Sequence, residues 1–86
     1  ECKMSPVFRR EDGYVFKIFS NEEKRKHIHV YKAENSAKFW LEPSVELASN
    51  EGFSNKEIRK ILSIINVYAN QFRKQYQDHV GLCLDD

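Results

Sequence analysis

At 86 residues, 41% hydrophobic and 31% charged, the chain suffices for one domain with a single modest core, and its few Gly and Pro exclude a disordered tail. Fourteen Lys and Arg against thirteen Asp and Glu leave a net charge of +1, far from the basic balance of a dedicated nucleic-acid binder, so only a local patch could serve that role. The longest apolar runs are about four residues against the roughly twenty that cross a bilayer, and no charged-then-apolar leader opens the sequence, so a cytoplasmic protein with no membrane role is expected.

Met4 looks like a natural start, which makes residues 1–3 an extension outside the fold. Residues 7–10 and 14–19 are β-rich runs flanking Glu11, Asp12 and Gly13. Gly13 can supply the positive φ of a three-residue hairpin loop with a bulge. Such a loop sets Phe8 opposite Phe16 and Arg9 opposite Val15, with Tyr14, Phe16 and Ile18 lining the core. Residues 20–26, SNEEKRK, form a solvated connection that ends in a basic trio.

The next strand, HIHVYK over His27–Lys32, alternates strictly: Ile28 and Val30 lie on one face and His27, His29 and Tyr31 on the other. A turn over residues 33–36 leads to AKFWLE over residues 37–42, where Ala37, Phe39 and Leu41 oppose Lys38, Trp40 and Glu42. With Lys32 opposite Ala37, Tyr31 pairs with Lys38, His29 with Trp40 and His27 with Glu42, while Val30 meets Phe39 and Ile28 meets Leu41. Pro43 cannot donate to a ladder and marks a bend, after which Val45 and Leu47 point coreward from a short edge strand and Glu46 points outward.

Ser54 with Glu57 three residues on has capping-box spacing and starts a helix. Ile58, Ile61, Leu62, Ile65, Ala69, Phe72 and Tyr76 make one apolar stripe, with Gly81 as the terminator. The prediction is a single α+β domain over residues 1–86. An antiparallel β-meander of about four or five strands over 4–50 is packed on one face by a long C-terminal amphipathic helix over 54–79.

The polar parity of the two middle strands gathers His27, His29, Lys38, Trp40 and Glu42 on the sheet face away from the helix. Three uses of that face compete. His27 and His29 have the residue types for acid and base in metal-independent RNA cleavage, with Lys38 stabilising the phosphorane, Trp40 or Tyr31 stacking a base and Glu42 favouring protonated His27. Alternatively the face binds without chemistry, stacking single-stranded nucleic acid on Trp40 and Tyr31 beside Lys17 and Lys38, or docking a protein, which the near-zero net charge favours. In the third, a sheet edge or the helix flank carrying Ile64, Val67 and Tyr68 makes a homodimer or holds a partner.

Each has a bland counterpart: strand histidines more often pack than catalyse, and isolated exposed apolar residues are common. A metal on His27 and His29 has only Glu42 as an obvious third ligand, and Cys83 with His79 is one loose pair, so no metal or cofactor is expected. Cys2 and Cys83 read as free thiols.

The runs SPVFRR, DGYVFKIFSNE, HIHVYK, AKFWLEP, VELA and GFSNKEI, in this order and followed by the apolar helix stripe, resemble a small bacterial family known as domain of unknown function 4160. The resemblance covers residues 4–76, with His-x-His-Val followed by Lys-Phe-Trp-Leu as its strongest pair. The family usually carries prolines where this chain has Arg25 and Lys26, and Ser44 looks like an extra residue. The resemblance implies a compact domain of a toxin–antitoxin pair without a settled activity. A partner-dependent regulatory or toxin-like module acting through the open face is therefore expected, with a protein partner or a second copy bound, and ribonuclease chemistry as the alternative.

Overall fold

The computed structural model describes residues 7–18 and 25–84, with side chains described as far as residue 78. Five strands, β1 (Val7–Glu11), β2 (Tyr14–Lys17), β3 (His27–Lys32), β4 (Asn35–Trp40) and β5 (Glu46–Glu51), form one antiparallel sheet in sequential order, and α1 (Asn55–Leu84) follows. The expected α+β meander with one long C-terminal helix is the observed architecture. The assignments made for Phe19, for residues 1–3, for most of the 20–26 connection and for the side chains of His79 and Cys83 lie outside the described residues.

The first hairpin turns on two residues and not three. Asp12 and Gly13 have φ of 54° and 84°, the pair of positive values a tight primed hairpin turn requires, so Glu11 joins the strand and pairs with Tyr14. Arg9 therefore faces Phe16, and a bulge at Phe8 restores the register before Val7 meets Lys17. A bulge aims neighbouring side chains to one side. Phe8 stacks on Phe72 with centroids 6.2 Å apart, while the Arg9 guanidinium lies 3.7 Å over the Tyr68 ring and donates to its hydroxyl at 2.6 Å.

The second hairpin is tighter than expected as well. Only Ala33 and Glu34 connect β3 to β4, with Lys32 opposite Asn35. The whole pairing is displaced by two residues, so His27 faces Trp40, Ile28 faces Phe39, His29 faces Lys38 and Val30 faces Ala37. A two-residue displacement preserves which face each side chain occupies.

The core lies between α1 and the sheet face bearing Phe16, Ile28, Val30, Ala37, Phe39 and Leu41, all buried. The helix contributes Ile58, Ile61, Ile65, Ala69, Phe72 and Tyr76 as predicted, and Ile64 in addition, whereas Leu62 is only partly buried. Phe72 is its centre, stacked on Phe16 at 5.8 Å as well as on Phe8. Of the helix flank expected to be open, Ile64 is buried, Tyr68 is held by Arg9, and Val67 alone stays well exposed at 74%.

Ser54 and Glu57 form the predicted capping box: the Glu57 amide donates to Ser54 Oγ at 3.1 Å and the Ser54 amide donates to Glu57 Oε1 at 3.1 Å. Tyr14, buried beside Phe53, has its phenol pushed up from 10.0 by burial and then by the carboxylate of Glu57. The helix does not stop at Gly81 but continues to Leu84, because one glycine costs a helix only about 1 kcal/mol.

The Glu42–Pro43 peptide is cis, at the predicted bend. Val45 packs against the core, but Leu47 remains 43% exposed because all of β5 lies beyond the helix's cover. Gly52 (φ 102°) turns the chain out of β5 so close to Asn35 that a Cβ would stand 2.2 Å from its Oδ1.

Candidate functional site

The face opposite the core is laid out in rows by the observed register. One row runs across four strands as Lys17, His29, Lys38 and Ser49. On one side of it lie His27, Trp40 and Glu46, and on the other Arg10, Val15, Tyr31, Ser36 and Glu51. Tyr31 and Trp40 on this face both carry cations over their rings, one on the phenol and two on the indole. Lys17 Nζ lies 5.0 Å from the centroid of Tyr31, whose other neighbour is the His29 ring, stacked at 6.4 Å and 20°. Trp40 has the Arg25 guanidinium at 4.2 Å and Lys38 Nζ at 4.5 Å.

His27 departs from the expectation of an open-face residue. It is fully buried, edge-on to Tyr76 at 5.5 Å, to Trp40 at 6.0 Å and to His29 at 5.2 Å. Its Nδ1 lies 2.8 Å from the Arg25 carbonyl oxygen, which can only accept, so the proton sits on Nδ1. The Tyr76 hydroxyl stands 3.5 Å from the same nitrogen. The physical cause is the helix: its seventh turn brings Tyr76 over the start of β3, where the sheet end would otherwise meet solvent.

Glu42 is the second departure. It was expected opposite His27, but the displaced register puts Trp40 there and leaves Glu42 past the end of β4. Its carboxylate pairs with Lys26 Nζ at 3.5 Å, and its carbonyl accepts a 2.8 Å bond from Arg25 Nε. Trp40 correspondingly crosses from His27 and not from His29. The structure thus brings His29, Lys38, Lys17, Tyr31 and Trp40 together on one half-exposed surface, with His27 beneath its edge and Glu42 outside it.

Arg25 is the residue that reasoning from sequence passed over. It bonds the Glu42 carbonyl, lies over Trp40 and approaches Glu46 Oε1 at 3.9 Å, and its own carbonyl holds His27. Its place in the basic trio before β3 was the available signal. Among the described residues no group of three His, Cys, Asp or Glu side chains is arranged to hold a metal ion, and no helix is long and apolar enough to cross a membrane.

Residues 13–77 match the model of the family described as domain of unknown function (DUF4160). The chain belongs to this family. No curated protein and no solved structure matches it. The matched span of this DUF4160 domain begins at the first turn and takes in Lys17, Arg25, His29, Tyr31, Lys38 and Trp40, so the whole cation and aromatic surface falls within it. Arg25 and Lys26 stand just before β3. Both work through their side chains, one over Trp40 and one on Glu42, while the Lys26 carbonyl accepts the Leu41 amide at 2.9 Å.

Proposed function

We propose that this DUF4160 domain is a partner-dependent regulatory or toxin-like module of a toxin–antitoxin pair, acting in the cytoplasm as a binding platform through its open sheet face. The toxin–antitoxin setting is what the family resemblance implies. The platform rests on one observation: two half-exposed rings stand on the face the helix leaves uncovered, Tyr31 with Lys17 held against it and Trp40 with Arg25 and Lys38. Aromatic area with an adjacent charge is the composition of binding surfaces, where large stiff side chains give contact area at low entropic cost.

Ribonuclease chemistry by the histidine pair has less support. A general acid or base must come within hydrogen-bond reach of its proton, and the ring of His27 has no exposed surface, with its Nδ1 proton held by the Arg25 carbonyl. The experiment is expression of the domain in bacterial cells with growth as the readout. Wild-type protein should arrest growth, Trp40→Ala should abolish the arrest, and the double variant His27→Gln, His29→Gln should retain more of it than Trp40→Ala. Arrest that survives Trp40→Ala but disappears in the histidine variant, with both proteins folded by circular dichroism, would overturn the platform.

A further inference from the structure

We infer that the Lys17, His29 and Lys38 row, bordered by Tyr31 and Trp40, is a site for single-stranded nucleic acid; this rests on the platform reading above and names its ligand. The register places the three basic residues directly opposite one another on β2, β3 and β4, and β5 completes the row with Ser49 and not a carboxylate. The two lysines flank His29, whose ring N–H can donate a hydrogen bond, so the row offers two cations and a donor to a chain of phosphates laid along it. Lys17 and Lys38 stand two strand spacings apart, about 10 Å. A stacked strand carries a phosphate about every 3.4 Å, so this span matches about three phosphates.

The rings complete the case. Tyr31 lies one same-face step from the row in one direction and Trp40 one step in the other, which separates them by about 13 Å along the strands. A strand laid along the row thus has one ring on each flank, and a base turned out to either side can stack on Tyr31 or Trp40 as the cation now over that ring moves to a phosphate. Arg25, over Trp40, is positioned to neutralise a phosphate beside the stacked base. Glu46 and Glu51 bound the surface on the β5 side and direct such a strand over β2 to β4.

A duplex hides the base faces that Tyr31 and Trp40 would take, and an acidic peptide without aromatic residues satisfies the lysines but leaves the rings without a stacking partner. The net charge of +1 argues against a basic surface over the whole domain and leaves room only for a local row such as this one.

The test is a titration of the purified chain with short single-stranded RNA and DNA oligonucleotides and with a duplex of equal length, over a range of salt. Fluorescence anisotropy and the emission of Trp40, the single tryptophan, report binding. Single strands should bind more tightly than the duplex and quench Trp40, with a log–log salt slope of about −1.4 to −2 for two or three phosphate contacts. Trp40→Ala should weaken binding about 5- to 150-fold, Trp40→Phe should restore most of it, and Lys17→Ala and Lys38→Ala should each flatten the slope by about 0.7. No binding at low salt and millimolar protein, equal affinity for duplex, or indifference to both Trp40→Ala and Tyr31→Ala would overturn the inference. If oligonucleotides fail to bind while Trp40→Ala still abolishes growth arrest, the platform stands and its ligand is a protein; if Trp40→Ala is silent in cells, the platform itself falls.

Discussion

The two faces of this sheet are written by the same alternation in the same strands, yet they behave as different materials. On the helix side, Phe16, Ile28, Val30 and Phe39 are wholly buried and meet the apolar stripe of α1. On the other, residues one step away in the chain, Lys17, His29, Tyr31, Lys38 and Trp40, stay half exposed; Lys17 and Lys38 lie on the Tyr31 and Trp40 rings and His29 stacks on Tyr31. The first face holds the fold by area removed from water. The second adds little to stability, since an exposed cation on a ring contributes only about 0.5 to 1 kcal/mol, and is therefore the face on which sequence can be chosen for a ligand. His27 belongs to the second by parity and to the first by burial.

That division is best broken at its apolar centre. Phe72 touches rings from β1 and β2, so Phe72→Ala should destabilise the domain by about 3 to 5 kcal/mol in chemical denaturation. A loss below about 1 kcal/mol would mean that the helix does not close the core as described.

His27→Leu probes the boundary between the faces. It fills the space but leaves the Arg25 carbonyl without its 2.8 Å donor, so the expected cost is about 1 to 3 kcal/mol. A stability unchanged from wild type would show that the bond contributes nothing and that His27 could move outward toward a ligand.

How much of this was legible is instructive at these same residues. The parity of both middle strands was readable because apolar and polar residues alternate without exception in HIHVYK, and a strand with one buried face tolerates no odd displacement. The register was not, because Ala33 and Glu34 carry none of the glycine or asparagine signals of a two-residue turn. Asn35 and Ser36, which do look like turn residues, are in β4. The face therefore came out right while every cross-strand partner on it was displaced by two, which moved Glu42 off the site and Trp40 onto His27. The burial of His27 depends on Tyr76, 49 residues away, and no local pattern carries contact information over that separation. Asp12 and Gly13 did announce a tight turn, and Glu11 was wrongly added to it.

Tyr14 sharpens the account of the buried face through pH. Its phenol is held above its ordinary value of 10.0, first by burial and then by Glu57. A raised folded value favours the neutral form. Its stabilisation is fully present below the unfolded value and is lost as pH rises through the folded one. Between pH about 8 and about 11, wild type should lose more unfolding free energy than Tyr14→Phe; equal losses would contradict the assignment. The smallest effect is expected at Val67, 74% exposed on the helix, where Val67→Ser should change stability by no more than about 0.5 kcal/mol. A larger loss would reveal a contact made by self-association.

The central claim is that the open face serves binding and not folding, and Trp40→Ala tests it most directly when stability and growth arrest are measured on the same variant. The expected result is a stability loss of about 1 to 2 kcal/mol, from the two cation contacts on the indole and well below that of Phe72→Ala, together with loss of arrest; a variant that is equally stable and still arrests growth would contradict it.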